Sequence, residues 1–184
     1  MKPTEILITE HKAVLVALQI LEKAAIRITA GNADAPEHLE QLIDFFSGFV
    51  DRCHHAKEEE VLFPELEKRG VPKNGGPIGV MLAEHEAGRR HIREMASGLT
   101  RLRGGDSTAA QNIRDNASAY KDMLRAHIDK ENNVLFPMAD RLLPDADAAK
   151  MVVQFEEIER DRVGAGKHEA YHDMLHRLKD VYPV

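Results

Sequence analysis

Cysteine is almost absent from this chain: Cys53 is the only one in 184 residues. A single thiol closes no internal disulfide and fits a reducing compartment. Tryptophan is missing, and aromatic residues make up only 5%. No apolar run approaches the roughly 18 residues that suggest a membrane span. The opening stretch, MKPTEILITEHK, lacks the long apolar core and small-residue cleavage site of a signal peptide. A cytoplasmic protein without a membrane partner is therefore expected. Basic clusters are lacking too. Lys+Arg number 25 against Asp+Glu 31, for a formal charge of -6, which makes nucleic acid a poor partner. The rest is ordinary globular composition, with 43% hydrophobic and 30% charged residues, and it excludes wholesale disorder. The length suits one domain with at most a short appendage.

Breakers at Gly31-Asn32, Gly70 to Pro77, Gly104-Gly105 and Pro144-Asp145 divide the chain. They leave four long segments, roughly Thr4 to Ala30, Pro36 to Arg69, Pro77 to Arg103 and Ser107 to Leu142. Each has helical periodicity. Leu7, His11, Val14, Leu18, Leu21, Ala25 and Ile28 recur at spacings of four and three. So do Met81, His85, Gly88, Ile92 and Met95, and likewise Ile113, Ala117, Tyr120, Leu124, His127, Glu131 and Val134. The second segment is less regular, but Ile43, Val50, His54, Glu58 and Val61 share a face. No stretch has the alternation of a half-buried strand. The expected fold is all-α: an up-down-up-down four-helix bundle over residues 1–143. One or two short helices over 144–184 would pack on it. Pro64 and Pro137 fall inside helices two and four, where a kink is expected. Both end a shared pattern, HAKEEEVLFPELE from His55 and HIDKENNVLFPMAD from His127, which is a weak internal repeat.

What the chain has in plenty is histidine, ten in all. His11, His85, His127 and Glu131 interrupt the apolar stripes, and His54 and Glu58 do the same in the second segment. A buried ionised carboxylate is costly unless it is paired or binds metal. His and Glu four residues apart lie one turn apart on one face. Counted along helices at 1.5 Å per residue, His11 and His54 both lie about 27 Å from their connection, and His85 and His127 agree to roughly 3 Å. The second connection matches less well, about 15 residues against about 8. Four imidazoles and two carboxylates exceed what a structural zinc takes and suit a dinuclear site. Nitrogen-rich ligation disfavours calcium and magnesium, and iron leads, with manganese or zinc behind it. Ferritin-like di-iron bundles use four carboxylates and two histidines. With histidine in excess, reversible dioxygen binding is favoured over oxidative chemistry.

The set His11, His54-x-x-x-Glu58, His85 and His127-x-x-x-Glu131 resembles the hemerythrin-like, HHE cation-binding family. The segments CHHAKEEEVLFP, EHEAGR and HIDKENNVLFPMA are similar to its bacterial members, and the likeness covers about residues 5 to 140. The resemblance implies a four-helix bundle with a non-haem di-iron centre. It implies roles in oxygen binding, oxygen or iron sensing, or defence against oxygen, peroxide or nitric oxide. By it, His11, His54, His85 and His127 would be terminal ligands, and Glu58 and Glu131 would bridge two iron ions. Invertebrate members carry a second histidine four residues after the third-helix one, and an aspartate five after the fourth-helix one. Here those features are Arg89 and Glu131 at spacing four, so one position stands open for a small ligand or another side chain. His55, beside His54, and His168, on a tail face with His172 and His176, are the candidates to fill it.

The expected function is binding of two irons and a small ligand such as dioxygen, in oxygen or iron handling or sensing. The alternatives are a di-iron oxidoreductase acting on peroxide or nitric oxide, and a structural bundle holding zinc or no metal. Cys53 is expected to be a buried structural thiol and Tyr120 a core residue. Glu84, Glu86, Arg89, His38 and His91 are expected at the surface.

Overall fold

The computed structural model describes every residue except Ala165. It is all-helical, and no strand occurs among the described residues. Helix α1 is Pro3–Thr29. Helix α2 (35–68) is built from Ala35–Phe45, Phe46–His55, Glu58–Leu62 and Phe63–Lys68. Helix α3 is Pro77–Arg103. Helix α4 (109–142) is built from Ala109–Lys130, Glu131–Leu135 and Phe136–Leu142. The tail forms α5, Asp145–Arg162, and α6, Lys167–Val181.

The boundaries follow from residue chemistry. Pro3, Pro36 and Pro77 sit in the first turns of α1, α2 and α3, where a missing N–H costs nothing. Gly31 and Gly105 turn the chain after α1 and α3 with φ of 76° and 94°, a conformation that suits only glycine at low cost. Inside α2 and α4 the expected kinks are replaced by widened turns. Phe46–His55, Glu58–Leu62 and Glu131–Leu135 are π-helical. The Phe63 N–H reaches back to the Glu58 carbonyl, and the Phe136 N–H to that of Glu131. Pro64 and Pro137 follow directly. Each lacks an N–H and would press on a carbonyl in a regular turn. The i→i+5 turn relieves that contact and lets the helix run on.

Helix α1 packs on α2 and α4, and α3 packs on α4 and α2. The tail helices lie on α1 and α2. The apolar core has two halves. One contains Val14, Leu18, Val50, Met95, Leu124 and Ile128. The other contains Leu7, Val61, Met81, Leu135 and Phe136. The tail enters both, with Met151 and Phe155 in the second half and Tyr171, Leu175 and Tyr182 in the first. Along each of α1 to α4, the residues between the two halves are the histidines and glutamates singled out above. No described helix is long and apolar enough to cross a membrane.

Candidate metal centre

Seven of the eight candidate side chains come together between the core halves. His11 from α1, His54, His55 and Glu58 from α2, His85 from α3, and His127 and Glu131 from α4 are all at most 4% exposed. Their donor atoms form two groups, each within 4.8 Å, that share Glu58. One group is His11, His54, Glu58 and Glu131; the other is His55, Glu58, His85 and His127. Each carboxylate turns one oxygen to either side. Glu131 places Oε2 3.3 Å from His11 Nε2 and Oε1 3.2 Å from His127 Nε2. Glu58 places Oε1 3.7 Å from His54 Nε2 and Oε2 3.4 Å from His85 Nε2. Each carboxylate thus faces imidazoles of both groups.

The tautomers of the imidazoles are fixed from behind, and the anchors close a ring around the bundle. Glu10 on α1 meets His54 Nδ1 on α2 at 2.7 Å. Glu59 on α2 meets His85 Nδ1 on α3 at 2.7 Å. Glu84 on α3 meets His127 Nδ1 on α4 at 2.9 Å, and Asn132 on α4 meets His11 Nδ1 on α1 at 2.9 Å. Each anchor adjoins a candidate ligand in sequence but serves the histidine of the next helix. His55 Nδ1 faces Asp51 of its own helix at 3.4 Å. A carboxylate or amide oxygen only accepts, so each anchored Nδ1 carries a proton and it is Nε2 that faces the interior, free to give a lone pair to a metal once it is deprotonated. The carboxylates are themselves neutralised: Glu10 by Lys57, Glu84 by Lys130, and Glu59 and Asp51 by Arg89.

The interior is therefore a set of donors facing one another. His11 and His54 bring their Nε2 atoms to 3.0 Å, and His85 and His127 to 3.2 Å. Two lone pairs at that distance repel unless a proton or a cation lies between them. Both oxygens of Glu58, both of Glu131 and Nε2 of His55 are buried without a hydrogen-bond partner, an arrangement costly in itself. Burial and the neighbouring Glu131 push the Glu58 carboxyl well above the usual range. For Glu131, burial is outweighed by His127 and His11, and its carboxyl stays well below it. Imidazole nitrogens with carboxylate oxygens suit a divalent transition metal, and hydrogen-bonded anchors behind the imidazoles are the usual support of such ligands. The residues present fit metal.

His168 is not brought to this cluster. It lies outside the α2 surface, stacked on Phe49 at 5.4 Å, with Nδ1 3.0 Å from Glu159 and His172 beside it at 3.3 Å. The α6 helix that carries it packs across the face of α1 and α2. His55 occupies the interior instead, its ring stacked on His85 at 3.8 Å. Cys53 is buried as expected, and burial pushes its thiol up to about 12. Tyr120 is a core residue with its ring edge-on to Phe46. Glu84 and Arg89 are not free surface charges; they belong to the anchoring layer. His38 and His91 are half-buried, bonded to Tyr182 and Asn116. The anchors Glu10, Asp51, Glu59 and Asn132, and the buried Lys57, carried no expectation. Their signal was adjacency, since four of the anchors directly precede or follow a candidate ligand.

Known proteins agree with this picture. An uncharacterised protein of Mycobacterium tuberculosis is 24% identical over 177 residues, covering 96% of this chain and 68% of that protein. The iron-sulfur cluster repair protein YtfE of Edwardsiella ictaluri is 30% identical over 132 residues, covering 70% of this chain and 59% of that protein. YtfE of Pectobacterium atrosepticum is 30% identical over 134 residues, covering 71% and 60%. This chain thus spans less than two thirds of the YtfE proteins. Residues 2–139 match the hemerythrin HHE cation-binding domain. That match takes in all seven converging side chains and stops short of the tail, and the chain belongs to the hemerythrin HHE cation-binding domain family.

Proposed function

We propose that this chain is a non-haem di-iron protein of oxygen or iron handling, with an up-down-up-down bundle over residues 1–143 and a tail over 144–184. The carrying observation is the ring of anchored imidazoles that turn their Nε2 atoms toward two buried carboxylates without hydrogen-bond partners. His11 and His54 would hold one ion and His55, His85 and His127 the other, with Glu58 and Glu131 shared. Bound iron would supply a redox-active position for a small ligand such as dioxygen, peroxide or nitric oxide. The residues then have three tasks. The anchors hold each imidazole in one tautomer. Glu58 gives up the proton that its burial retains when metal is absent. The apolar halves above and below exclude water. The single, buried thiol favours a reducing, cytoplasmic location.

Metal analysis with an optical spectrum tests this reading on protein grown in iron-rich medium. About two irons per chain, with near-ultraviolet bands that bleach on reduction, are expected. Zinc or manganese in place of iron, or metal retained when His54 and His127 are both alanine, overturns it. A second reading, iron supply in the repair of iron–sulfur clusters, is favoured by the two YtfE relatives at 30% identity. It predicts that the loaded protein gives up iron to a cluster-depleted acceptor, which a stable oxygen-binding protein would not do.

A further inference from the structure

A cavity of about 140 Å³ lies between α2, α3 and α4, with room for several water-sized molecules. Exposed Arg93 and half-buried Ser47 stand at its outer side; buried Phe46, Tyr120, Leu124 and His55 form its depth. Beyond His55 and Leu124 the packing closes to a gap, bounded by His11, His54 and His127, with no room for a water-sized molecule, so passage there needs His55 or Leu124 to move. His55 and Leu124 line both spaces, so they form the wall between the outer cavity and the imidazole cluster. The larger surface cavities, near Glu65 and Lys68 and near Glu157 and Arg162, touch no residue of the cluster.

The chemistry of the cavity limits what it admits. Its middle is apolar, with Ile92 on α3 and Met123 on α4 facing Phe46. Arg89 lines it, but its Nε and Nη2 are each 2.7 Å from the carboxylates of Asp51 and Glu59, so its charge is neutralised. Arg93 is paired with Glu86 at 3.1 Å. Glycine at position 88 keeps the α3 side low: a Cβ there would come within 3.2 Å of the Tyr120 ring and 3.3 Å of the Met123 methyl. We infer that this cavity is the route by which a small uncharged molecule of two or three heavy atoms reaches the imidazole cluster. Met123 and Ile92 set its width, and Leu124 and His55 form its inner gate. This rests on the di-iron reading above, and it excludes organic substrates of nucleotide or sugar size.

Two measurements test it. The first needs no metal. Xenon dissolved with the metal-free protein should shift the methyl resonances of Leu124 and Met123, and Met123→Trp should abolish the Leu124 shift. Xenon shifts confined to other methyls overturn the route. The second uses iron-loaded protein and nitric oxide followed by stopped flow. Met123→Trp should slow association and dissociation together, each at least tenfold, because a route acts on both directions. Met123→Ala should not slow either. Association at the wild-type rate in an iron-loaded Met123→Trp protein overturns the inference. Ile92→Trp narrows the same passage from α3 and serves if Met123→Trp does not fold. Wild-type protein that takes up no iron would defeat the di-iron reading and show in the metal analysis, while the xenon experiment would still decide whether the cavity admits an apolar guest.

Discussion

Lys57 is the most consequential residue outside the donor set, and Lys57→Met measures its worth. Its side chain is 1% exposed. The ammonium bonds to Glu10 Oε1 and lies 3.1 Å from Glu159 Oε2 on α5, above the Phe155 ring. Burial alone would lower its pKa, but Glu10 outweighs this and keeps it charged. Glu10, 8% exposed, turns its other oxygen to His54. Methionine matches the length and removes the charge. Glu10 then stays buried with only an imidazole for company. Removing one partner of a buried pair costs about 3–5 kcal/mol. The Glu159 contact is a third exposed, so water recovers much of that share. A loss of about 3 kcal/mol is expected. At roughly 2–4 °C per kcal/mol for a chain of this size, Tm falls by about 6–12 °C. Adding Glu10→Gln removes the stranded charge and should restore at least half of the loss, a coupling that a double-mutant cycle in urea resolves. The metal-free protein is the right sample, because bound metal would mask the effect. A Lys57→Met variant within 1 kcal/mol of wild type, or a double variant whose loss is the sum of the singles, would refute the reasoning.

Metal loading should raise stability by about 2.7 kcal/mol for each bound ion once free metal is a hundredfold above Kd; a melting curve unmoved by a chelator would show that the donors hold nothing. The metal-free protein should be most stable near pH 6.5. Burial holds His54, His55 and His85 below the usual imidazole range, so the unfolded chain takes more protons as pH falls below about 6.5, and stability drops. Bonding to His168 and Lys57 holds Glu159 down to about 2, and its contribution goes as pH falls from about 4.5 toward that value. On the other side, burial of His127 is outweighed by Glu131 and Glu84, which raise it to about 9, and the stability it adds is lost as pH rises through that value. A Tm profile that climbs steadily from pH 4 to 9 would contradict these signs. Gly48→Ala should cost about 1–3 kcal/mol despite its better helix propensity, because the new Cβ would strike the Tyr171 hydroxyl, which binds Asp44 at 3.1 Å and ties α6 to α2. Denaturant titration of Gly48→Ala, alone and with Tyr171→Phe, checks it: the second change should recover part of the loss.

The helices were legible because their stripes recur at three and four over many turns, and the donors because they broke those stripes. Leu7, His11 and Val14 place a polar side chain between two apolar ones, and that is the order in which the two core halves enclose the cluster. The anchors were not legible. Glu84 was expected at the surface and Glu10 and Glu59 drew no expectation, because only the packing of neighbouring helices shows that each reaches a different helix from the ligand beside it. Lys57 carried no expectation either, since it is the tail, through Glu159 and Phe155, that closes over its ammonium.

The choice between His55 and His168 was decided by backbone geometry that periodicity does not carry. On a regular helix, neighbours diverge by about 100°, so His54 and His55 would not both be expected to face the interior. The π-helical stretch Phe46–His55 widens the turn and narrows that divergence, and both imidazoles enter. The same device recurs at Glu58–Leu62 and Glu131–Leu135, each running up to the residue before a Phe-Pro pair. A proline that would kink an isolated helix is here the sequence mark of a widened turn, and the two such turns begin at Glu58 and Glu131. The repeated Val-Leu-Phe-Pro therefore has a physical reading. It imposes the same backbone adjustment on two helices, at the level of Glu58 and Glu131.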